Sequence, residues 1–332
     1  MRVFLCLLLL SWFVLLTNVA ANEINYDDVG TSDGAGGFDE GEPEIGDIAL
    51  DLMDEVHGVL SSNLLSISDQ IDSFFVDDRM EEEGSNTQVI FSYYISEDIY
   101  GNFDHDYLFK ARLSLPKTQD RLRLVVESTV NPNQESEGNQ LGGSVSEERD
   151  SDFTTALQLI FKKTKYWQVS SKTGVRFAVP PDPFSQLRIR RLFFYDEWVT
   201  RLIETVFLSK SQGFGTSTAL EVDHGLVKSL YFRSRSELTI AEEVEDVHFA
   251  QQFSIYQRIT DRKMWVYSVG SDAVVEQNPY ITRNYMNVRF RHNVYKKWVF
   301  YEVVPELSFE RENDFDMLPI MFFKIDIVFG RV

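Results

Sequence analysis

The chain has 332 residues, of which 14% are aromatic and 25% charged, and carries a formal net charge of −20. Such acidity excludes nucleic-acid binding, which needs a basic face. A single cysteine, Cys6, excludes a disulfide-stapled fold.

In chain order, the first element is an export signal. Met1-Arg2 supplies positive charge, VFLCLLLLSWFVLL supplies an apolar run, and TNVAAN ends with small residues at Val19 and Ala21. This pattern predicts cleavage after Ala21, so that residues 1–21 form a signal peptide; an uncleaved anchor is the alternative, disfavoured by the shortness of the run. Residues 22–44 are acidic, glycine-rich and without hydrophobic periodicity, the composition of a disordered segment. In the next region, 45–87, the periodicity changes. Ile48, Leu52, Val56, Val59 and Leu60, then Leu64, Ile67, Ile71, Phe74 and Phe75, recur at steps of three and four, which predicts a short amphipathic helix over 45–77, interrupted near Ser61–Asn63.

From about Gln88 the period becomes two. Fourteen candidate strands follow, at 88–96, 106–116, 121–131, 152–163, 166–179, 185–194, 197–208, 214–223, 226–240, 246–259, 262–271, 281–292, 298–309 and 317–330, with twelve as the alternative number. Most reach the about nine to eleven residues that a tilted strand needs to cross hydrocarbon. Beyond the signal no apolar run reaches the length of about 18 residues that marks a membrane-spanning helix, so strands would have to do the crossing. Links such as KTQD, YDE, DHG and TDR are short. They nearly alternate with longer ones such as ISEDIYGNFDHD, NPNQESEGNQLGGSVSEERDS and ERENDFDM.

Within the strands one face is apolar and the other ionic. Leu122, Leu124 and Val126 oppose Arg121, Arg123 and Glu127; Phe323, Ile325, Ile327 and Phe329 oppose Lys324 and Asp326. Charges repeated at mid-strand do not fit a dry core, where each unpaired ion costs several kcal/mol, but they fit a wet lumen. Arg191, Arg201 and Glu204 interrupt the alternation, which predicts a bulge or register shift in the sixth and seventh strands. Alternatively, Arg191 and Arg201 snorkel to headgroups beside Trp198. Trp167, Trp198, Trp265 and Trp298 all fall near expected turns, where a membrane interface would lie.

Strand length, link alternation, the signal and the terminal FFKIDIVF strand together resemble bacterial outer-membrane β-barrel proteins as a class. The resemblance covers about 88–332. It implies an all-β fold: a transmembrane antiparallel up-and-down β-barrel of about fourteen strands, preceded by the short helix, with the N-terminal region in the periplasm. It also implies two partners, outer-membrane lipid and the barrel-assembly machinery. That machinery commonly reads a terminal aromatic residue, whereas here Gly330, Arg331 and Val332 follow Phe329. A periplasmic partner or self-association through 45–77 remains open, as does insertion of this segment into the barrel.

The residues offer little for catalysis, metal or cofactor binding. The five histidines include no pair at HxxxH spacing. Asp223-His224 reads as part of a polar turn, Asp104-His105-Asp106 as part of the first long loop, and His248 with Ser254 as a polar pair on the lumen face. The cluster with most chemical content is ionic. Lys172, Arg176, Arg188, Arg190, Arg233 and Arg235 would line an anion-selecting constriction, or else form a ladder with Glu221, Asp223, Glu237 and Glu302 that closes a solid barrel. The function read from this is a non-enzymatic channel or structural barrel, with the 45–77 helix as its closure. The alternatives are a membrane-embedded hydrolase or a surface interaction protein presenting the 132–151 loop.

Overall fold

The computed structural model describes residues 87–115, 118, 121–129, 152–164, 166–195, 197–227, 229–243, 246–275, 278–296 and 298–330. They form fourteen strands: β1 (Gln88–Asp98), β2 (Phe103–Ser114), β3 (Leu122–Thr129), β4 (Asp152–Lys163), β5 (Trp167–Arg176), β6 (Asp182–Tyr195), β7 (Trp198–Ser209), β8 (Gly213–Val227), β9 (Leu230–Ala241), β10 (His248–Thr260), β11 (Lys263–Val274), β12 (Tyr280–Tyr295), β13 (Val299–Glu310) and β14 (Met317–Gly330). Each pairs antiparallel with its neighbours in sequence, and β1 pairs with β14, so the sheet closes into a barrel without edges. The strand number is fourteen, not twelve. The 45–77 helix, the signal and the acidic segment lie outside the described residues.

Alternation fixes the two faces. Along the β1–β14 seam, Ile90, Ser92, Tyr94 and Ser96 pair with Val328, Asp326, Lys324 and Phe322, all pointing inward. The intervening Val89, Phe91, Tyr93 and Ile95 pair with Phe329, Ile327, Ile325 and Phe323, which point outward. Phe91, Phe323, Ile325 and Phe329 are exposed on that outer belt while Ser92 and Asp326 are buried within. An exposed apolar belt around a paired ionic interior is the arrangement that hydrocarbon outside and polar groups inside require.

Turns at the end where β1 begins are short at 164–166, 196–197, 228–229, 261–262 and 296–298, and longer only at 115–121. The opposite end has the link 130–151, but 99–102, 210–212 and 275–279 are tighter than the sequence suggests. The first link is only 99–102, because pairing continues to Glu97 and Phe103. Asp98 closes that turn: its Oδ1 accepts from the Tyr100 and Asn102 amides, both at 2.9 Å, and Gly101 takes a φ of 80°.

Pairing between β6 and β7 is uniform from Phe184–Ser209 to Tyr195–Trp198, so the expected bulge is absent there. Arg201 instead belongs to the inner face of a regular strand, against Glu221 of β8, rather than to a headgroup edge. Its position follows directly from strict alternation starting at the outward Trp198. Arg191 does face outward, its guanidinium 4.8 Å from the Trp167 ring centre and 4.5 Å from that of Phe193. Glu204 also faces outward, accepting from Thr218 Oγ1 at 2.6 Å.

Inward glycines make room for large neighbours. A Cβ at Gly270 would lie 2.4 Å from the Tyr285 ring, and one at Gly215 would lie 2.3 Å from the Phe207 ring. Both rings therefore occupy the space over glycine backbone inside the barrel, where a side chain would otherwise stand.

Candidate pore-lining site

The inner wall of β7–β9 carries a ladder of alternating charge. Arg201 donates to Glu221 Oε2 at 3.4 Å and approaches Asp223 Oδ2 at 3.1 Å. Arg233 reaches the same Asp223 through Nε at 2.8 Å, and Arg235 bridges Glu221 and Glu237. Register places these side chains opposite one another, since Asp223 pairs with Arg233 and Glu221 with Arg235. Arg201 is 1% exposed and Asp223 fully buried, so each charge is stable only because the others neutralise it.

A second ladder crosses β12, β13, β14 and β1. Arg291 donates to Glu302 and, at 2.6 Å, to Asp326 Oδ2. Lys324 lies 3.3 Å from Asp326, and Ser92 donates to Asp326 from across the seam. Arg289 stands 3.8 Å from Glu302, while Arg283 donates to Glu306. Aromatic faces add to the neutralisation: the Arg291 guanidinium lies 4.4 Å from the Phe300 ring centre and Lys324 Nζ 5.0 Å from that of Tyr94.

The wall from β2 to β6 is more basic. Lys172 donates to Glu127 Oε1 at 2.7 Å and Arg176 to Asp182 Oδ2 at 2.8 Å. Asp182 also accepts from the Lys210 and Ser211 amides, tying this pair to the next link. Arg112, Arg123, Arg188 and Arg190 share the same face. Between the charged zones and the short turns the inner wall becomes apolar. Val199, Tyr231, Met264 and Val266 cluster there with Leu192, Phe194 and Tyr256, and Ile90, Phe300 and Val328 form a smaller group.

All ten residues singled out from the sequence therefore sit on the inner wall. Lys172, Arg176, Arg188 and Arg190 lie together on β5–β6. Glu221, Asp223, Arg233, Arg235 and Glu237 form the β8–β9 part of one ladder, and Glu302 belongs to the other. Sequence reasoning did not single out Arg201, Arg283 or Arg291 as site residues. Arg283, Arg289 and Arg291 recur at even steps on the inward face of β12, among Tyr285, Asn287 and Asn293.

The histidine motifs come apart. Asp223-His224 is not a turn, because β8 continues to Val227. Asp223 points inward, while His224 points outward against Trp198, with ring centres 4.2 Å apart. Asp104-His105-Asp106 lies within β2 rather than in a loop, with His105 outward and exposed and the two aspartates inward. His248 and Ser254 share the inner face of β10 but are separated by Ala250 and Gln252, and Ser254 pairs with Ser268 at 2.9 Å.

No family model matches the chain, nor does any curated protein. Solved structures that it resembles are bacterial outer-membrane channels. "KdgM porin" matches at 7% identity over 72% of this chain and 98% of its own, with a TM-score of 0.35. The "outer membrane protein opdK from Pseudomonas aeruginosa" matches at 5% over 74% and 99%, TM-score 0.43. "Bacterial polysaccharide outer membrane secretin" matches at 9% over 75% and 100%, TM-score 0.44.

Proposed function

We propose that the protein is an integral outer-membrane β-barrel of channel type, with a charged lumen that residues 45–77 close. The observation that carries this reading is the pairing of an apolar outer belt with an inner wall of interlocked Arg, Lys, Asp and Glu. Outer-membrane lipid is then the partner of the belt, and the barrel-assembly machinery the partner of the β14 strand during insertion. The even strand number, with β1 starting and β14 ending at the short-turn end, supports a periplasmic N-terminus. A fourteen-strand circumference is wide enough for a lumen, and the amphipathic pattern of 45–77 supports its place there. A hydrolase is not favoured, because His105 and His224 point outward, away from the carboxylates that adjoin them in sequence.

Planar-bilayer conductance tests the reading. Full-length protein is expected to conduct in brief, small events, and deletion of residues 45–77 to produce large and steady ones. If both forms insert and neither conducts, the channel assignment is wrong.

A further inference from the structure

The outer belt is not uniform. Along one arc a row of polar side chains crosses it: Ser236 of β9 pairs in register with Gln251 of β10, Gln251 with Ser271 of β11, and Ser271 with Asn284 of β12. Each adjoins an inward residue, Arg235, Gln252, Asp272 and Arg283 in turn, so alternation points all four outward. One outward step farther from the short turns, Glu204 of β7 pairs with Thr218 of β8. Apolar side chains enclose the row. Leu238, Phe249 and Ala273 lie on its long-link side, and Phe253, Val269 and Met286 on its short-turn side. The polar groups therefore stand within the hydrocarbon belt and not at its headgroup margins.

The seam sector is different. Its outward mid-strand residues include Leu307 of β13, Phe323 and Ile325 of β14, Phe91 of β1 and Phe109 of β2, all apolar. Hydrocarbon is the same all round a barrel, so a polar row kept to one arc marks an arc with another neighbour. Part of the bonding is met within the arc, where Ser236 donates to Gln251 Oε1 and Gln251 Nε2 donates to Ser234 Oγ at 3.1 Å. A second copy of this chain, inserted alike, carries the same row at the same depth. Ser, Asn and Gln each donate and accept, so the row complements itself. From β7 to β12 there are five strand spacings of about 4.8 Å, and with a belt about 25 Å tall this gives about 600 Å² per copy. Two such faces bury about 1,200 Å², where the range of stable interfaces begins.

We propose that the outward face of β7–β12 is the contact surface for a second copy of this chain in the membrane, with Ser236, Gln251, Ser271 and Asn284 hydrogen-bonding between the copies. The inference rests on the membrane-inserted barrel and is independent of whether the lumen conducts. In lipid, apolar contact gives little drive to associate, so polar bonds across the interface select the partner and the face.

Cys6 is the only native cysteine and lies in the expected signal, so engineered thiols report cleanly. Ser271→Cys on the arc is compared with Phe323→Cys on β14, each in the exported full-length protein, using a short membrane-permeant bifunctional thiol reagent. Crosslinked dimer is expected at position 271 and not at 323, both in cells and in lipid vesicles. Association of dye-labelled copies, read as energy transfer while the vesicles are diluted with lipid, should weaken roughly tenfold or more in Gln251→Leu with Asn284→Leu. Both changes make the belt more apolar, so the barrel is expected to stay folded, and heat-modifiable gel mobility checks this. Equal crosslinking at 271 and 323, or association unmoved by the leucine pair, overturns the interface. So does crosslinking in cells that traps a different protein at 271 in place of a second copy. Barrels that conduct while staying monomeric at every protein-to-lipid ratio sink the interface and leave the channel reading standing. Paired barrels that never conduct do the reverse.

Discussion

Ser92 donates a hydrogen bond of 2.6 Å to Asp326 across a sequence separation of 234, and this contact lies on the seam where the first strand meets the last. Asp326 also receives Arg291 and stands beside Lys324, so one carboxylate neutralises two cations where the barrel closes. Asp326→Ala is expected to destabilise the barrel by about 3–5 kcal/mol, because both cations stay buried. Ser92→Ala, which removes one neutral donor, should cost only about 1 kcal/mol. Urea unfolding in lipid, followed by gel mobility, measures the two. Equal effects would show that the seam is held by backbone pairing alone.

Arg201 and Arg191 differ by ten positions in sequence and by environment altogether. Arg201→Ala leaves Glu221 and Asp223 short of a counter-ion and is expected to cost about 3 kcal/mol or more. Arg191→Ala removes a cation that rests on Trp167 and Phe193 at the outer edge, and should cost about 1 kcal/mol or less. The same unfolding assay ranks them, and a larger loss at Arg191 would contradict the uniform β6–β7 register.

Glu204 is an acidic side chain on the lipid-facing side of β7, satisfied by Thr218. Glu204→Leu is expected to stabilise the barrel in lipid by roughly 1–2 kcal/mol, while Thr218→Val should destabilise it by leaving the carboxyl without its donor. If Glu204→Leu lowers stability in a pure lipid bilayer, this position meets something other than hydrocarbon.

Gly270→Val drives a branched side chain into the Tyr285 ring and is expected to cost about 2–3 kcal/mol. The double substitution with Tyr285→Ala should recover part of that loss. The coupling between the two changes, read from a double-mutant cycle, checks that the ring and the glycine share one space.

The fold was largely legible because alternation is a backbone property and survives without knowledge of partners. The terminal strand from Met317 to Gly330 shows this well, with Lys324 and Asp326 inside and Phe323 and Ile325 outside. Strand ends were harder. Asp223-His224-Gly225 has the composition of a turn, yet cross-strand pairing with Arg233 and Phe232 holds it in β8. The site was legible as a set of inward charges, but its pairing was not. Whether Arg201 meets Glu221 or headgroups depends on which strand lies opposite and in what register, and no local pattern records that. Asp104 and His105 show a further limit: adjacency in a strand separates side chains rather than joining them.

Four tryptophans, Trp167, Trp198, Trp265 and Trp298, sit at the short-turn end, the last stacked on Phe329 at 6.3 Å. The remaining one, Trp12, belongs to the expected signal. With residues 1–21 removed, as that signal predicts, indole emission originates from one rim only. Quenchers placed at graded depth in the bilayer would report the seating of that rim directly, and the order in which rim and opposite loops enter the membrane could be timed without any attached dye.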